Sequence, residues 1–264
     1  MKIAGRTFVV SGGASGLGQA CVEEICRQGG HAAVLDVNEE NGAAVVQSQP
    51  AGAARFFACD VLEADSVTAA VDGVAAWARE TRKPLGGVIP AAGVGSPATI
   101  LDRDGAPFDM DTFNFVVDIN LRGTVDLVRQ CVAYLAKADL DGNPDGERGV
   151  VVMVSSVAAY DGQRGQVAYA ASKGAVASMA LPMARDLSRY GVRCVAVAPG
   201  IFDSRMTAAM PPKLLTGLAA ATEFPRRAGQ PHEFAQLVRQ IIENPMLNGT
   251  VIRLDGGLRM PSKI

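Results

Sequence analysis

A tyrosine and a lysine four residues apart, Tyr169 and Lys173, have the types and the spacing to carry out chemistry. If their segment is helical, both side chains lie on one face of the helix. A tyrosine hydroxyl has a pKa near ~10, so it is a poor base at neutral pH. A lysine cation beside it favours the phenolate, and the pair could then exchange a proton with an alcohol or a ketone. For the pair taken alone, two exposed side chains on a solvated helix are the alternative.

A glycine-rich segment, Gly12-Gly13-Ala14-Ser15-Gly16-Leu17-Gly18, separates the first strand-like run from a helical pattern. Such a turn lets the backbone approach a pyrophosphate, whose charge is favoured at a helix N-terminus. Asp36 follows Gly18 by eighteen residues, close to the ~20 expected for an acid that binds the adenosine ribose. A carboxylate there repels a 2′-phosphate, and neither Ser15 nor the two residues after Asp36 is basic. The pattern therefore favours NAD over NADP.

A second acid, Asp60, ends the third strand-like run in Cys59-Asp60-Val61. Two interpretations stay open for its carboxylate. It could meet the adenine of a dinucleotide, with Val61 beside it, or it could cap the N-terminus of the helix that follows.

These residues must be positioned by alternating strands and helices, because short β-branched runs alternate with longer amphipathic stretches along the whole chain. The runs predict strands at Thr7–Ser11, Ala32–Asp36, Arg55–Cys59, Gly87–Pro90, Val150–Ser155, Arg193–Ala198 and Thr250–Leu254. The stretches predict helices at Leu17–Gln28, Glu39–Gln49, Ala64–Arg82, Asp111–Ala138, Val167–Tyr190 and Pro231–Asn244. The alternation predicts an α/β fold: a single domain over residues 1–264, with a Rossmann-type, doubly wound parallel sheet of about seven strands and helices on both faces.

Two irregular segments, 93–111 and 200–227, interrupt the alternation and are expected to form the substrate cleft. Apolar side chains of the second segment, among them Met206 and Met210, either cover an acyl chain or sterol or pack on the core. The stretch Asp141–Arg148 is interpreted as a solvent-exposed turn.

Composition excludes several classes of function. A net charge of −2 gives no basic surface for nucleic acid or anionic lipid, and no apolar stretch approaches the length of a membrane span. The five cysteines are odd in number and scattered, which indicates reduced thiols and a cytoplasmic location. Only two histidines are present and they form no ligand cluster, so no metal is expected.

Several separated motifs together resemble the short-chain dehydrogenase/reductase family: the glycine spacing, Asp60-Val61, Asn120, Ser156 with Tyr169 and Lys173, and Pro199-Gly200. Ser156 lies thirteen residues before Tyr169, as is typical of that family. The stretches Ser11–Gly18, Ser156–Gly174, Ala198–Phe202, 224–227, 241–245 and Arg253–Gly256 are similar to family members that act on 3-hydroxyacyl-CoA esters. One departure is Pro90, where the family usually has an asparagine. We expect Pro90 at the extreme C-terminal end of its strand.

The resemblance implies a role for each catalytic residue. Tyr169 is the general acid and base, Lys173 lowers its pKa and binds the nicotinamide ribose, and Ser156 binds the substrate oxygen together with Tyr169. Asn120 supports a water chain to Lys173; a helix residue facing solvent is its alternative. Further cofactor contacts are implied for Ala91, Gly93, Pro199, Gly200, Phe202 and Ser204.

The implied activity is NAD-dependent interconversion of a 3-hydroxyacyl-CoA and a 3-ketoacyl-CoA by a homotetramer. A dehydrogenase of hydroxysteroids or other bulky secondary alcohols is the alternative within the family. A non-catalytic nucleotide-binding scaffold is the alternative from another class. It is disfavoured because Ser156, Tyr169 and Lys173 are all present.

Overall fold

The structure, a computed structural model, describes residues 1–138, 145–208 and 212–262. Its strands form one parallel sheet in the order β3-β2-β1-β4-β5-β6-β7. The strands are β1 (Thr7–Ser11), β2 (His31–Asp36), β3 (Ala54–Ala58), β4 (Leu85–Pro90), β5 (Gly149–Val154), β6 (Val192–Pro199) and β7 (Val251–Leu254). Since β1 pairs with both β2 and β4, the strand order reverses there and leaves a crevice at the carboxyl ends of the strands.

Helices cover both faces of the sheet. They are α1 (Gly16–Arg27), α2 (Glu39–Gln47), α3 (Ala64–Glu80), α4 (Met110–Val117), α5 (Thr124–Leu135), α6 (Val167–Leu187), α7 (Arg205–Ala208), α8 (Pro212–Ala220) and α9 (Pro231–Glu243). One apolar core joins the sheet to α1, α2 and α9, and a second joins it to α3, α5 and α6. The predicted doubly wound α/β fold is confirmed. Among the described residues, no helix is both long and apolar enough to cross a membrane.

The fourth predicted helix, Asp111–Ala138, is wrong as a single element. Helix α4 gives way to a π-helical segment, Asp118–Gly123, and α5 then resumes the regular helix. A π-helix inserts one residue into the helical repeat, and such insertions occur frequently at functional sites. The segment expected to be irregular at 200–227 also contains two helices, α7 and α8.

Pro90 lies at the end of β4, as expected. Strand β4 pairs with β5 only through Gly87 and Val88, so Pro90 lies beyond that pairing. A proline lacks a backbone donor, and this position tolerates it because the chain leaves the sheet immediately afterwards.

The interpretation of 141–148 as an exposed turn holds at Asp145, which is exposed in a turn, but is wrong at Glu147. Residues 141–144 lie outside the described residues, but Glu147 is only 5% exposed. Its carboxylate accepts hydrogen bonds from the amino group of Met1 at 2.9 Å and from Arg193 Nε at 2.8 Å. Arg193 also donates to the main-chain oxygens of Ile241 and Ile242, at the end of α9. The short segment therefore supplies the counter-charge for a buried arginine that ties β6 to α9.

Candidate active site

The structure brings the predicted catalytic side chains together at the carboxyl end of β5. Tyr169 and Lys173 lie in the first turns of α6, and Lys173 Nζ is 5.8 Å from the centre of the Tyr169 ring. The Ser156 side chain lies close enough to the Tyr169 hydroxyl to lower its pKa. Ser156 Oγ also accepts a bond of 3.1 Å from the amide of Ala158, which holds the serine in the turn after β5.

Lys173 is held by main-chain groups of the strand end. Its ammonium donates to the oxygen of Val154 at 2.9 Å, while its own carbonyl accepts from Ser155 Oγ at 2.7 Å. The sequence analysis missed Ser155 as a positioning residue, because a serine next to Ser156 carries no signal that its hydroxyl reaches eighteen residues along the chain.

Burial dominates the electrostatics of the pair. It raises the pKa of Tyr169 above its ordinary value, and the nearby Ser156 side chain opposes this shift. Burial also lowers the pKa of Lys173 to about 8. The shift of the Tyr169 pKa comes from burial, with Ser156 opposing it, and the expected lowering of that pKa by Lys173 stays a prediction. The protein holds Tyr169 protonated at neutral pH, as a proton donor to a ketone must be.

Asn120 lies in the π-helical segment and is fully buried, so the alternative of a solvent-facing residue is wrong. Its Oδ1 accepts from the amide of Val94 at 2.8 Å. Its Nδ2 donates to the oxygen of Val94 at 2.9 Å and to Ser172 Oγ at 3.1 Å. Asn120 thereby joins the start of the 93–111 loop to α6. Ser172 was missed as a partner, since no spacing links it to position 120.

The glycine turn leaves no room for side chains. A Cβ on Gly18 would lie 2.2 Å from the oxygen of Gly12, and one on Gly12, at φ +63°, would lie 2.8 Å from the amide nitrogen of Ala92. Helix α1 starts here with Ser15 as N-cap, and the Ser15 side chain makes no capping hydrogen bond. The free N–H groups of a helix start and a backbone without side chains fit the pyrophosphate of a dinucleotide.

Asp36 lies at this turn. Its Oδ2 accepts from the amide of Ala14 at 3.1 Å, and its Oδ1 accepts from the amide of Asn38 at 3.0 Å. The carboxylate is thus fixed at the end of β2, beside the turn that would hold the cofactor.

Asp60 is not the N-cap of α3, so that alternative is wrong. The helix begins at Ala64 with Glu63 as its N-cap, while Asp60 Oδ1 accepts from the amide of Leu62 at 2.9 Å. Its neighbour Val61 packs against the π-helical segment, since a Cβ on Gly123 would lie 2.8 Å from Val61 Cβ. Contact of either residue with adenine stays a prediction.

The other predicted cofactor residues fall into two groups. Ala91 and Gly93 follow β4, and a Cβ on Gly93 would lie 3.1 Å from Asn120 Oδ1 and 3.5 Å from Lys173 Nζ. Gly93 therefore borders the catalytic cluster, and a Cβ there would crowd Asn120 Oδ1 and contact Lys173 Nζ.

The second group follows β6, where Pro199 is the last strand residue and Gly200 donates its amide to Leu254 at 2.9 Å. Ser204 reaches the glycine turn, because a Cβ on Gly16 would lie 3.4 Å from Ser204 Cβ. The side chain of Phe202 does not face the cleft. It is 6% exposed and stands edge-on to Phe234 in the core, with ring centres 6.2 Å apart.

The two substrate segments meet above the site. The amide of Ala98 donates to the oxygen of Gly165 at 2.9 Å, which attaches the 93–111 loop just before α6. Met206, in α7, is 41% exposed, and its sulfur would lie 3.8 Å from a Cβ on Gly95. Met206 thus lies at the surface between the two segments rather than in the core, while Met210 is outside the described residues.

Comparisons with known proteins agree with this geometry. The family model described as short chain dehydrogenase matches residues 6–214. A Drosophila melanogaster protein named 3-hydroxyacyl-CoA dehydrogenase type-2 is 40% identical over 96% of this chain and 96% of its own length. The human protein of that name is 38% identical over 98% and 97%. The crystal structure of 3-hydroxyacyl-CoA dehydrogenase type-2 from Mycobacterium avium, at 36% identity, superposes with a TM-score of 0.91 and covers 98% of each chain.

Proposed function

Since the chain belongs to the short-chain dehydrogenase family, we propose that it is an NAD-dependent oxidoreductase that interconverts 3-hydroxyacyl-CoA and 3-ketoacyl-CoA. The observation that carries the proposal is the cluster at the end of β5, where Ser156 lies beside Tyr169 and the buried Lys173 ammonium lies 5.8 Å from the Tyr169 ring centre. Relatives that cover nearly the whole chain are named for the acyl-CoA substrate. The name of a relative supports the substrate, whereas the side chains support the chemistry.

In ketone reduction, Tyr169 donates its hydroxyl proton to the substrate oxygen while Ser156 donates a hydrogen bond to the same oxygen. In the reverse direction Tyr169 takes the proton from the alcohol. Lys173 keeps a cation beside the phenol, and Asn120 positions the group of residues around it. When bound, NAD supplies the hydride donor or acceptor.

We propose that the glycine turn Gly12–Gly18 and the start of α1 hold the pyrophosphate of NAD. Asp36 would accept hydrogen bonds from the adenosine ribose and repel a 2′-phosphate, so NAD is preferred over NADP. Its carboxylate is supported by the amides of Ala14 and Asn38, which keep it at the turn.

The decisive experiment measures NADH oxidation with acetoacetyl-CoA by the wild type and by Tyr169→Phe. Loss of the phenolic proton donor is expected to lower kcat by a factor of about 10²–10⁴, while NADH binding is retained. Tyr160→Phe is the matched control, because Tyr160 is 52% exposed and lies nine residues upstream. Robust turnover by Tyr169→Phe would overturn the assignment, and so would an equal loss in Tyr160→Phe.

A dehydrogenase of bulky apolar alcohols is the second candidate function. The 93–111 loop supports it, because Ile100, Leu101 and Met110 are each more than half exposed and could cover a sterol. Comparing kcat/KM for acetoacetyl-CoA, a 17-ketosteroid and a simple methyl ketone separates the two. A steroid preference of about tenfold, or 1.4 kcal/mol in transition-state binding, would replace the acyl-CoA proposal.

We further propose that residues 1–264 act as one domain and assemble as a homotetramer in the cytoplasm. All seven strands lie in one sheet, which supports the single domain.

Exposed apolar side chains on the helices, Phe115 at 48% and Leu181 at 45%, support association through α4 and α6. The five free, buried thiols support a reducing compartment. Light scattering behind size exclusion would give the mass: a monomer would contradict the tetramer.

A further inference from the structure

Asn120 depends on its backbone position for every contact of its side chain. The amide group bonds to both main-chain groups of Val94 and to the hydroxyl of Ser172, and no part of it is exposed to solvent. A rotation of residue 120 about the helix axis would break all three bonds together. What holds the backbone at this residue therefore also holds the link between the 93–111 loop and α6.

The backbone at Asn120 is π-helical, which is a rare and poorly favoured form of helix. A return to regular α-helix over Asp118–Gly123 would shift the helical repeat by one residue and turn Asn120 by roughly 100° about the axis. The segment must therefore be fixed by contacts other than its own helical bonds.

Thr124 provides such a contact where the π-helical segment ends. Its hydroxyl donates to the main-chain oxygen of Asn120 at 2.8 Å, while its amide N–H is directed at the oxygen of Leu121. Thr124 is only 5% exposed, so water does not compete for the bond. The hydroxyl thus fixes the peptide group of Asn120 at the junction between the π-helix and α5.

Ser172 holds the side chain of Asn120, as Thr124 holds its main chain. Its hydroxyl donates its single proton to the oxygen of Tyr169 at 2.8 Å, which leaves a lone pair for Asn120 Nδ2. This polarity determines which way the Asn120 amide faces, because Ser172 must act as the acceptor. The same hydroxyl also connects Asn120 to the helical turn that carries Tyr169 and Lys173.

We propose that Thr124 and Ser172 are positioning residues for the reaction, which hold Asn120 from its main chain and from its side chain. They act through Asn120 on the turn that carries Tyr169 and Lys173. Asn120 and Lys173 lie close together, since a Cβ added at Gly93 would be within 3.5 Å of both Asn120 Oδ1 and Lys173 Nζ. The proposal rests on the proposed function only for its kinetic readout.

The kinetic test compares Thr124→Val, which keeps the shape and removes the hydroxyl, with Thr124→Ser, which keeps the hydroxyl. We expect kcat to fall about tenfold in Thr124→Val with KM for the ketone within about twofold, and to recover to within about threefold of wild type in Thr124→Ser. Thr68→Val is the matched control, because the Thr68 hydroxyl makes the same bond, 2.9 Å to the oxygen of Ala64, in α3. Full activity in Thr124→Val, or an equal loss in Thr68→Val, would overturn the proposal.

A double-mutant cycle separates positioning from general stability. In an Asn120→Ala background, neither Thr124→Val nor Ser172→Ala should lower kcat further, since both act through the missing side chain. Additive losses would show that the two hydroxyls do not act through Asn120. If Thr124→Val does not fold, Ser172→Ala is measured in its place, both for kcat and KM and in the double-mutant cycle with Asn120→Ala.

Hydrogen exchange keeps the proposal testable without turnover. The amide of Val94 donates to Asn120 Oδ1, so its exchange should be at least about tenfold faster in Thr124→Val than in the wild type and Thr124→Ser. If the wild type turns over none of the three ketones but this exchange pattern is found, the proposed function fails and the positioning stands. Unchanged Val94 exchange in Thr124→Val would overturn the positioning itself.

Discussion

The ammonium group of Lys173 donates a hydrogen bond of 2.9 Å to the main-chain oxygen of Val154. Lys173 is 6% exposed, and its burial lowers its pKa from 10.5 to about 8. Because the lowered pKa means that the folded state disfavours the charged form, this side chain costs stability at neutral pH. A buried cation that lowers folding stability is expected beside Tyr169 if the site is functional, because a core that serves only packing would not retain it.

Replacing this lysine should therefore stabilise the protein while removing activity. The cost is present below pH 8, where both states are charged, and it disappears as pH rises from about 8 to 10.5. Lys173→Met is expected to raise the free energy of unfolding at pH 7 by roughly 3 kcal/mol at most, with turnover lost. Urea unfolding measures the gain, and Lys137→Met, at an exposed lysine, should change little. A less stable Lys173→Met protein would contradict this account of the site.

A feature could be predicted from the sequence when the residues that indicate it lie close together along the chain. Apolar runs and glycine turns are local, so all seven strands and the turn Gly12–Gly18 were predicted in place. The catalytic spacing of Tyr169 and Lys173 is local as well. The π-helical insertion at Asp118–Gly123 was not predicted. One extra residue shifts the apolar pattern by roughly 100°, but a shift at a single turn is too short a signal to stand out from the irregularity of an amphipathic helix.

Features that depend on distant partners were also missed. Contact of Phe202 with the cofactor stays a prediction, but the packing partner of its ring, Phe234, is far along the chain and was not predicted. Glu147 lies in a polar stretch and yet is buried, because Arg193 needs a counter-charge there. The raised pKa of Tyr169 depends on the desolvation of its side chain in the fold, which no pair spacing records.

The carboxylate of Asp36 should determine the choice between NADH and NADPH. Its two oxygens accept from Ala14 and Asn38, which holds the negative charge at the glycine turn. Asp36→Ala is expected to raise the ratio of kcat/KM for NADPH to that for NADH by about 100-fold. The reason is that the carboxylate no longer repels the negatively charged 2′-phosphate of NADPH. Asp60→Asn is the control, because Asp60 is also an acid that follows a neighbouring strand, two residues after the end of β3. A wild type that uses both cofactors equally would refute the role of Asp36.

The buried thiols should make the protein unreactive to thiol reagents and sensitive to alkali. Burial raises the pKa of Cys26 and Cys59 to about 11 and that of Cys194 to about 12. Since the unfolded thiol titrates near ~8.5, the stability from each neutral thiol is complete below that pH and is lost as pH rises toward the folded pKa. Cys194→Val should therefore show a shallower loss of stability between pH 9 and 10. A native protein with rapidly titrating thiols at pH 8 would contradict this burial.

His31 should make the protein sensitive to acid. Its ring is stacked on Trp77 with centres 4.9 Å apart, and Lys83 Nζ lies 2.7 Å from its Nε2. Burial first, and then the positive charges of Lys83 and Arg55, hold the pKa of His31 below its ordinary 6.5. The folded state therefore favours the neutral ring, so the stability it contributes is complete above pH ~6.5 and is lost as pH falls below that value.

The variant His31→Phe keeps an aromatic ring against Trp77 but cannot bind a proton. Its unfolding midpoint in urea should fall less than that of the wild type between pH 7 and pH 5, because the proton uptake that favours the unfolded state is gone. His232→Gln, at the other of the two histidines and exposed in α9, should follow the wild type. If His31→Phe lost stability with acid as steeply as the wild type, the acid sensitivity would come from protonation of other groups and not of His31.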